Sequence, residues 1–373
     1  MEVFFLKMMW VITGIVLILA AAALALFMYL KGKSSGDPES VIGYVQEHRH
    51  TDSMALVIRH NDEEWVNINE DVPLPLASTV KIMVAIEYAR QAAEGEIDPQ
   101  EKVDLKTLET YYVPNTDGGA HQAWINGLSE KEEGVPLSEV ANGMIAYSSN
   151  ANTDYLLNVL GVEKVNRLAD DLKLASHEKM YPIVSALFIP MELMEEKGFT
   201  KEEALKELKG MSLEEYRSRA IDIHQKWESH PPLEKGKKEI LRILDMDFQR
   251  VWSDRLPRAS AGDYAELMSL LNSKSYFSKK VHSYLDPVME QLLKNPRNRE
   301  WLQHAGQKGG STAFVFTISM YATGKEGNCT EMAFLANDLS NAEFKELSRN
   351  MNSFQLQFLT NSEFRNYVKE KLN

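Results

Sequence analysis

The chain is nearly devoid of cysteine: Cys329 stands alone, which excludes an intramolecular disulfide and leaves stability to a packed core. Excess positive charge is also missing. Lys and Arg number 41 against 54 Asp and Glu, a net charge of −13, whereas a nucleic-acid binder needs a basic face to neutralise phosphates. The nine histidines show no His-Glu-x-x-His or other ligand spacing, so no metal is expected. No Walker-type or dinucleotide glycine pattern occurs, so no cofactor is expected either. His121 and His304 stand without the Gly-x-Ser-x-Gly elbow that a Ser-His-Asp hydrolase would supply. No internal period is present. The 373 residues suffice for one large or two ordinary domains.

Charge is absent again from Met8 to Leu30, MMWVITGIVLILAAAALALFMYL, a run long enough to cross roughly 30 Å of hydrocarbon. A cleaved signal peptide is the competing reading, because Ala23-Leu24-Ala25 resembles a cleavage site. The run continues through Leu26, Phe27, Met28 and Leu30, too far for a typical signal core. The reading adopted is therefore an uncleaved transmembrane anchor at 8–30 with a cytoplasmic stub at 1–7 and a polar linker at 31–40. The domain at 41–373 would then sit on the extracytoplasmic side of the cell membrane. Lys7 on one flank and Lys31 and Lys33 on the other leave the positive-inside rule undecided, so orientation rests on the short stub.

Within the domain, VIGYVQEHRH reads as a helix, and MALVIR with EWVNIN as a hairpin turning on HNDE. The middle is helical. TAFVFTISMYAT and CTEMAFLAND, joined by GKEGN, form a second hairpin, and the last 30 or so residues close the chain as a helix. Strands at both ends around a helical middle predict one α+β domain whose sheet is completed by its C-terminal part. Thr200 with Glu203 and Ser212 with Glu215 are capping-box patterns, and Pro190 and Pro231-Pro232 bracket them, so about 190–250 reads as a helical insertion.

The stretch PLPLASTVKIMVAIEYA raises the chemical question. Val80, Ile82, Met83, Val84, Ala85 and Ile86 cover every face of a helix, leaving no solvated stripe for Lys81. Burial disfavours an ammonium ion and lowers the lysine pKa. Ser78 precedes Lys81 by three residues and shares its face. A neutral amine beside a hydroxyl is a general base, and the serine it activates is a nucleophile. The competing reading is a serine N-cap with a lysine that snorkels to solvent; Ser176 and Lys179 have the same spacing in a polar setting. Two further stretches add to it. GMIAYSSNANTDYLL sets Ser148 and Asn150 at a junction of two helices, as a proton relay and an amide able to donate and accept, or as plain caps. HAGQKGGSTAFVFTISM places Lys308, two glycines and Ser311 where a strong strand is predicted to begin, giving a fixed cation and close backbone approach, or merely a turn. Ser348-Arg349-Asn350 and Lys325-Glu326-Gly327 repeat these two motifs elsewhere, so what distinguishes the set is its order and context.

Taken in that order, Ser78-Thr79-Val80-Lys81, Ser148-Ser149-Asn150 and Lys308-Gly309-Gly310 resemble the three-part signature of the penicillin-recognising serine enzymes, most closely the class A β-lactamase domain. The likeness runs from about Val41 to the C-terminus outside the insertion. It implies an antiparallel sheet flanked by helices from both termini, with an all-helical lobe beside it. It implies Ser78 as acylated nucleophile, Lys81 as proton acceptor and Ser148 as relay to the leaving nitrogen. Asn150 would hold the substrate amide, Lys308 would attract a carboxylate, and Gly310 would let substrate approach the backbone. The N–H groups of Ser78 and Ser311 would form the oxyanion hole. The partner so implied is a small amide, a β-lactam or a peptidoglycan-type peptide.

Four departures bear on the activity. Ser149 replaces the middle aspartate of the second motif, and Gly309 replaces a hydroxyl residue of the third, so that Ser311 or Thr312 must serve instead. The Glu-Pro-x-x-Asn loop that activates the deacylating water is missing; Glu178 and Glu192 are the nearest carboxylates. No arginine lies between Ser311 and Asp338 to help hold a carboxylate. The alternatives are thus a D-Ala-D-Ala carboxypeptidase or other penicillin-binding enzyme, an esterase, or a catalytically impaired envelope-binding module. Tyr111, Tyr112 and Trp124, from a Gly- and Asn-rich loop, are read as the rim of the cleft or as packing within that loop.

Overall fold

The computed structural model describes residues 36–129 and 134–373. The stretches expected to be an anchor at 8–30, a stub at 1–7 and most of a linker lie outside the described residues. Among those described, no helix is long and apolar enough to cross a membrane.

Helix α1, Pro38–His48, starts on the Asp37 side chain, which accepts the Glu39 N–H, and so begins inside the stretch read as linker. Strands β1, Met54–His60, and β2, Glu63–Ile68, form the first expected hairpin. Its turn is made by Asn61 and Asp62 at φ 52° and 63°, the left-handed pair that matches strand twist. The C-terminal hairpin is also present, as β4, Phe316–Gly324, and β5, Cys329–Ala336. The sheet runs β2-β1-β5-β4-β3, antiparallel throughout. Its outer strand β3, Leu302–Ser311, corrects the sequence reading. Lys308, Gly309 and Gly310 end this strand and do not open the next one; Lys308 lies opposite Ser319.

Strand β1 is apolar without alternation because both faces are covered. Leu56 and Ile58 enter a core with Tyr44, Phe334, Phe354 and Phe358, where α1 meets the closing helices α11, Asn341–Thr360, and α12, Ser362–Leu372. Ala55 and Val57 point the other way, into the core of the helical lobe. At the centre of that lobe runs α2, Lys81–Glu94, buried nearly all round and stopped by Gly95 at φ 80°. Packed on it are α3, Leu137–Ala146, α4, Asn150–Leu160, and α10, Lys279–Met289.

The segment read as an insertion is five helices: α5, Ile189–Lys197; α6, Lys201–Gly210; α7, Leu213–Ser229; α8, Glu234–Ile243; and α9, Met246–Asp254. Thr200 and Glu203 close a reciprocal capping box, and Ser212 caps α7 through the Glu215 N–H. These helices share a third core that takes in Tyr111, Val113, Ala151 and Tyr181, so the insertion is packed into the lobe.

Candidate active site

Ser78 sits in a 3₁₀ turn, Ala77–Val80, and Lys81 is the first residue of α2. Residues three apart eclipse one another in a 3₁₀ turn, so both side chains belong to one face. The turn is held from β3 and β4. Thr317 Oγ1 donates to Leu76 O at 2.8 Å and shares a 2.7 Å hydrogen bond with Thr79 Oγ1. A Cβ on Gly310 would lie 2.4 Å from the Ser78 nitrogen, so only glycine lets the strand pass this close to that N–H.

Lys81 is completely buried. Its amine donates to Ser148 O at 2.6 Å and Asn150 Oδ1 at 2.7 Å, with Ser148 Oγ at 3.3 Å. A neutral amine has two N–H bonds and one lone pair. The carbonyl and the amide use the two hydrogens, which leaves the lone pair for a hydroxyl. Burial, then the nearby Lys308 charge, hold this amine well below the usual lysine range. Lys81 makes none of its hydrogen bonds to Ser78, whose hydroxyl has no protein partner among the described residues.

Ser148 Oγ lies between the two amines, since Lys308 Nζ donates to it at 3.0 Å and to Gly309 O at 2.7 Å. Lys308 is also buried, which brings its pKa down to about 7. Ser148 adopts φ 72°, a left-handed conformation a non-glycine residue rarely holds, and Lys81 grips its carbonyl. Ser148→Gly should therefore leave folding stability unchanged or raise it by about 1 kcal/mol. The same change should lower Ser78-dependent turnover about a hundredfold through loss of the relaying hydroxyl. Thermal melts and steady-state kinetics on one preparation check both halves.

The replaced aspartate has a structural substitute. Ser149 is buried, accepts the Asn152 N–H to cap α4, and lies 2.9 Å from His121 Nδ1. His121 thus does meet a serine, but one with no exposed surface for a substrate. His304 lies beside Glu290. Thr312 Oγ1 is engaged by Ser253 and by the Phe314 N–H, whereas Ser311 is exposed at the cavity.

A cavity of about 720 Å³ opens in front of Ser78. Ser148, Asn150, Gly309, Gly310 and Ser311 line it with Ser78; Lys81 and Lys308 lie behind that surface. The aromatic loop does not contribute as a rim of rings. Tyr111 and Trp124 are buried in cores and Tyr112 stacks near His121, while Asn115 to Gly118 are what reach the cavity. Glu178 pairs with Arg217 and Glu192 with Arg219 and Lys226, and neither lines the cavity.

Sequence reasoning passed over Asp154. It lies one turn beyond Asn150 on α4, is fully buried, and accepts the N–H groups of Ile183, Val184 and Ser185. No local signal marked it, since Asp154 follows Asn150, Asn152 and Thr153 in the polar first turn of α4, where an aspartate is unremarkable. Also unforeseen was the part of the insertion, which contributes Leu241, Leu244 and Trp252 to the cavity wall.

A model of the beta-lactamase enzyme family, Beta-lactamase2, matches residues 42–309. Among solved structures, the chain is similar to a beta-lactamase from Sphaerobacter thermophilus at 17% identity and TM-score 0.53, covering 86% of this chain and 96% of that one. The extended-spectrum beta-lactamase TLA-3 matches at 13% identity and TM-score 0.52, over 86% of this chain and 99% of that one. A mutant of PBP-A solved as its acyl-enzyme with penicillin G matches at 15% identity and TM-score 0.50, over 86% and 95%. These likenesses establish the fold. No curated protein sequence matches the chain.

Proposed function

The chain belongs to the beta-lactamase enzyme family, and from that premise we propose that it is a serine hydrolase that forms an acyl-enzyme on Ser78. The observation that carries the reading is the buried Lys81 amine one 3₁₀ turn from Ser78, with both N–H bonds committed elsewhere. Ser78 Oγ attacks the carbonyl carbon, and its proton passes to the Lys81 lone pair after a side-chain rotation. Ser148 Oγ, between Lys81 and Lys308, returns a proton to the leaving nitrogen or oxygen. The backbone N–H groups of Ser78 and Ser311 receive the oxyanion, a contribution of about 3 kcal/mol per donor. Asn150 has its oxygen on Lys81 and its NH₂ left for a substrate amide.

A specific observation favours penicillin-binding behaviour over rapid β-lactam hydrolysis. Asp117 is the one carboxylate lining the cavity among the described residues, and both its oxygens accept backbone N–H groups of Gly119 and His121. With no uncommitted carboxylate to activate water, the acyl-enzyme is expected to be long-lived. The uncharged run Met8–Leu30 supports placement at a membrane, with the domain on the extracytoplasmic side.

Labelling with a fluorescent penicillin tests the reading. Wild type should form a covalent adduct that persists for minutes or longer, and Ser78→Ala should form none. Equal labelling of the two would remove Ser78 as nucleophile, and an adduct lost within seconds would favour a β-lactamase.

A further inference from the structure

The helical insertion does more than pack against the lobe. Helices α8 and α9 and the Leu244 between them bring Leu241, Leu244 and Trp252 to the cavity, where they meet Ile183 and Leu187. This wall is tied down on both sides. The Trp252 indole N–H donates to Ile183 O at 3.4 Å, and Ser253 shares a 2.7 Å hydrogen bond with Thr312 beyond the end of β3. Asp154 holds the 183–185 backbone from the same helix that carries Asn150, which puts the apolar wall on the Asn150 side of Ser78. The cavity surface also lacks cations. Neither Lys nor Arg lines it among the described residues; Arg250 pairs with Asp254 and Asp338, and Lys308 lies behind the surface on Ser148 Oγ and Gly309 O.

We propose that this wall is an acyl-group subsite, and that the substrates are esters or amides whose acyl side carries a bulky, uncharged apolar group, aryl or branched alkyl, next to the scissile carbonyl. The inference rests on Ser78 being the nucleophile. In the step it concerns, a bond forms between Ser78 Oγ and the carbonyl carbon while the bond to the leaving oxygen or nitrogen breaks. The serine proton goes by way of Lys81 and Ser148 to the leaving atom, and water later releases the apolar acid. About 720 Å³ is a volume suited to such a group, and apolar surface on three segments gives it contacts that a small or anionic acyl group forgoes.

The test is a p-nitrophenyl ester series on the full chain, with the leaving group held constant and the acyl group changed from acetyl to phenylacetyl to succinyl. Ser78-dependent kcat/KM for phenylacetyl should exceed that for acetyl by about tenfold or more, with succinyl no better than acetyl. Trp252→Ala should compress the phenylacetyl to acetyl ratio to about 2 or less by raising KM. Leu241→Asn, at a partly exposed position, repeats the comparison should the tryptophan variant fold poorly. A flat series, or a preference for succinyl, overturns the subsite while leaving Ser78 in place. Turnover that survives Ser78→Ala unchanged overturns both.

Discussion

Lys81→Met is expected to remove Ser78-dependent turnover by about 10³- to 10⁴-fold while leaving the protein folded. Methionine has nearly the length of lysine and suits a helix with no solvated face. The substitution takes away two hydrogen bonds, to Ser148 O and Asn150 Oδ1, but also removes an amine whose burial is unfavourable. The two effects oppose each other, so unfolding should shift by no more than about 2 kcal/mol in either direction. Lys81→Arg is the more informative partner. A guanidinium keeps its proton at any accessible pH, so arginine can donate to both partners and never act as a base. Turnover should stay as low as in the methionine variant. An arginine variant with a tenth of wild-type kcat/KM would show that a cation, and not a proton acceptor, is what the site uses. The pH profile supplies an independent check. Because burial and Lys308 depress the Lys81 pKa, the acid limb of kcat/KM should fall well below the ordinary lysine range.

That lysine was legible from the sequence because the anomaly was local: one cation among six apolar neighbours, three residues from a serine. The two hairpins were legible for a similar reason, since their turn residues and apolar runs lie within a dozen positions of each other. Strand β3 was not. Its sequence, LQHAGQKGGS, has three glycines and little of the β-branched content that marks strands. The structure gives two of those glycines a tertiary reason. A Cβ at Gly306 would meet the Tyr321 ring at 2.6 Å, and one at Gly310 would meet Ser78 N at 2.4 Å. Local propensity yields there to close packing, so the expectation that a strand begins at Lys308 misses the edge strand that already runs from Leu302. The insertion failed differently. Its helices and one capping box were readable, but Leu244 and Trp252 look like any core residues of a helical pattern. Which apolar face meets a cavity and which meets a core is decided by contacts far apart in sequence, such as Trp252 with Ile183 and Ser253 with Thr312.

Asp154→Ala should be the most destabilising single change in the domain, lowering unfolding free energy by about 3–5 kcal/mol. The carboxylate takes N–H bonds at 2.8 Å from Ile183 and Val184 and a longer one from Ser185, all inside the protein. Alanine leaves these donors buried without an acceptor, and each orphan costs about 1–3 kcal/mol. Asp154→Asn should fall between, since one oxygen still accepts while its NH₂ group faces a second donor. Denaturant unfolding of the three proteins gives the ranking, and a loss below 1 kcal/mol for alanine would mean that the 183–187 segment holds its shape without the anchor. The ranking also changes with pH, in a direction fixed by burial. Desolvation raises the Asp154 carboxyl to about 7, above its ordinary value, so between about pH 4 and pH 7 the folded state binds more protons than the unfolded one. Stability contributed by this group is full below that window and is lost as pH rises through it. The margin of wild type over Asp154→Asn should therefore be wider at pH 5 than at pH 8. Because the same anchor fixes Ile183 and Leu187 beside Ser78, the alanine variant should also lose discrimination among acyl groups before it loses its fold.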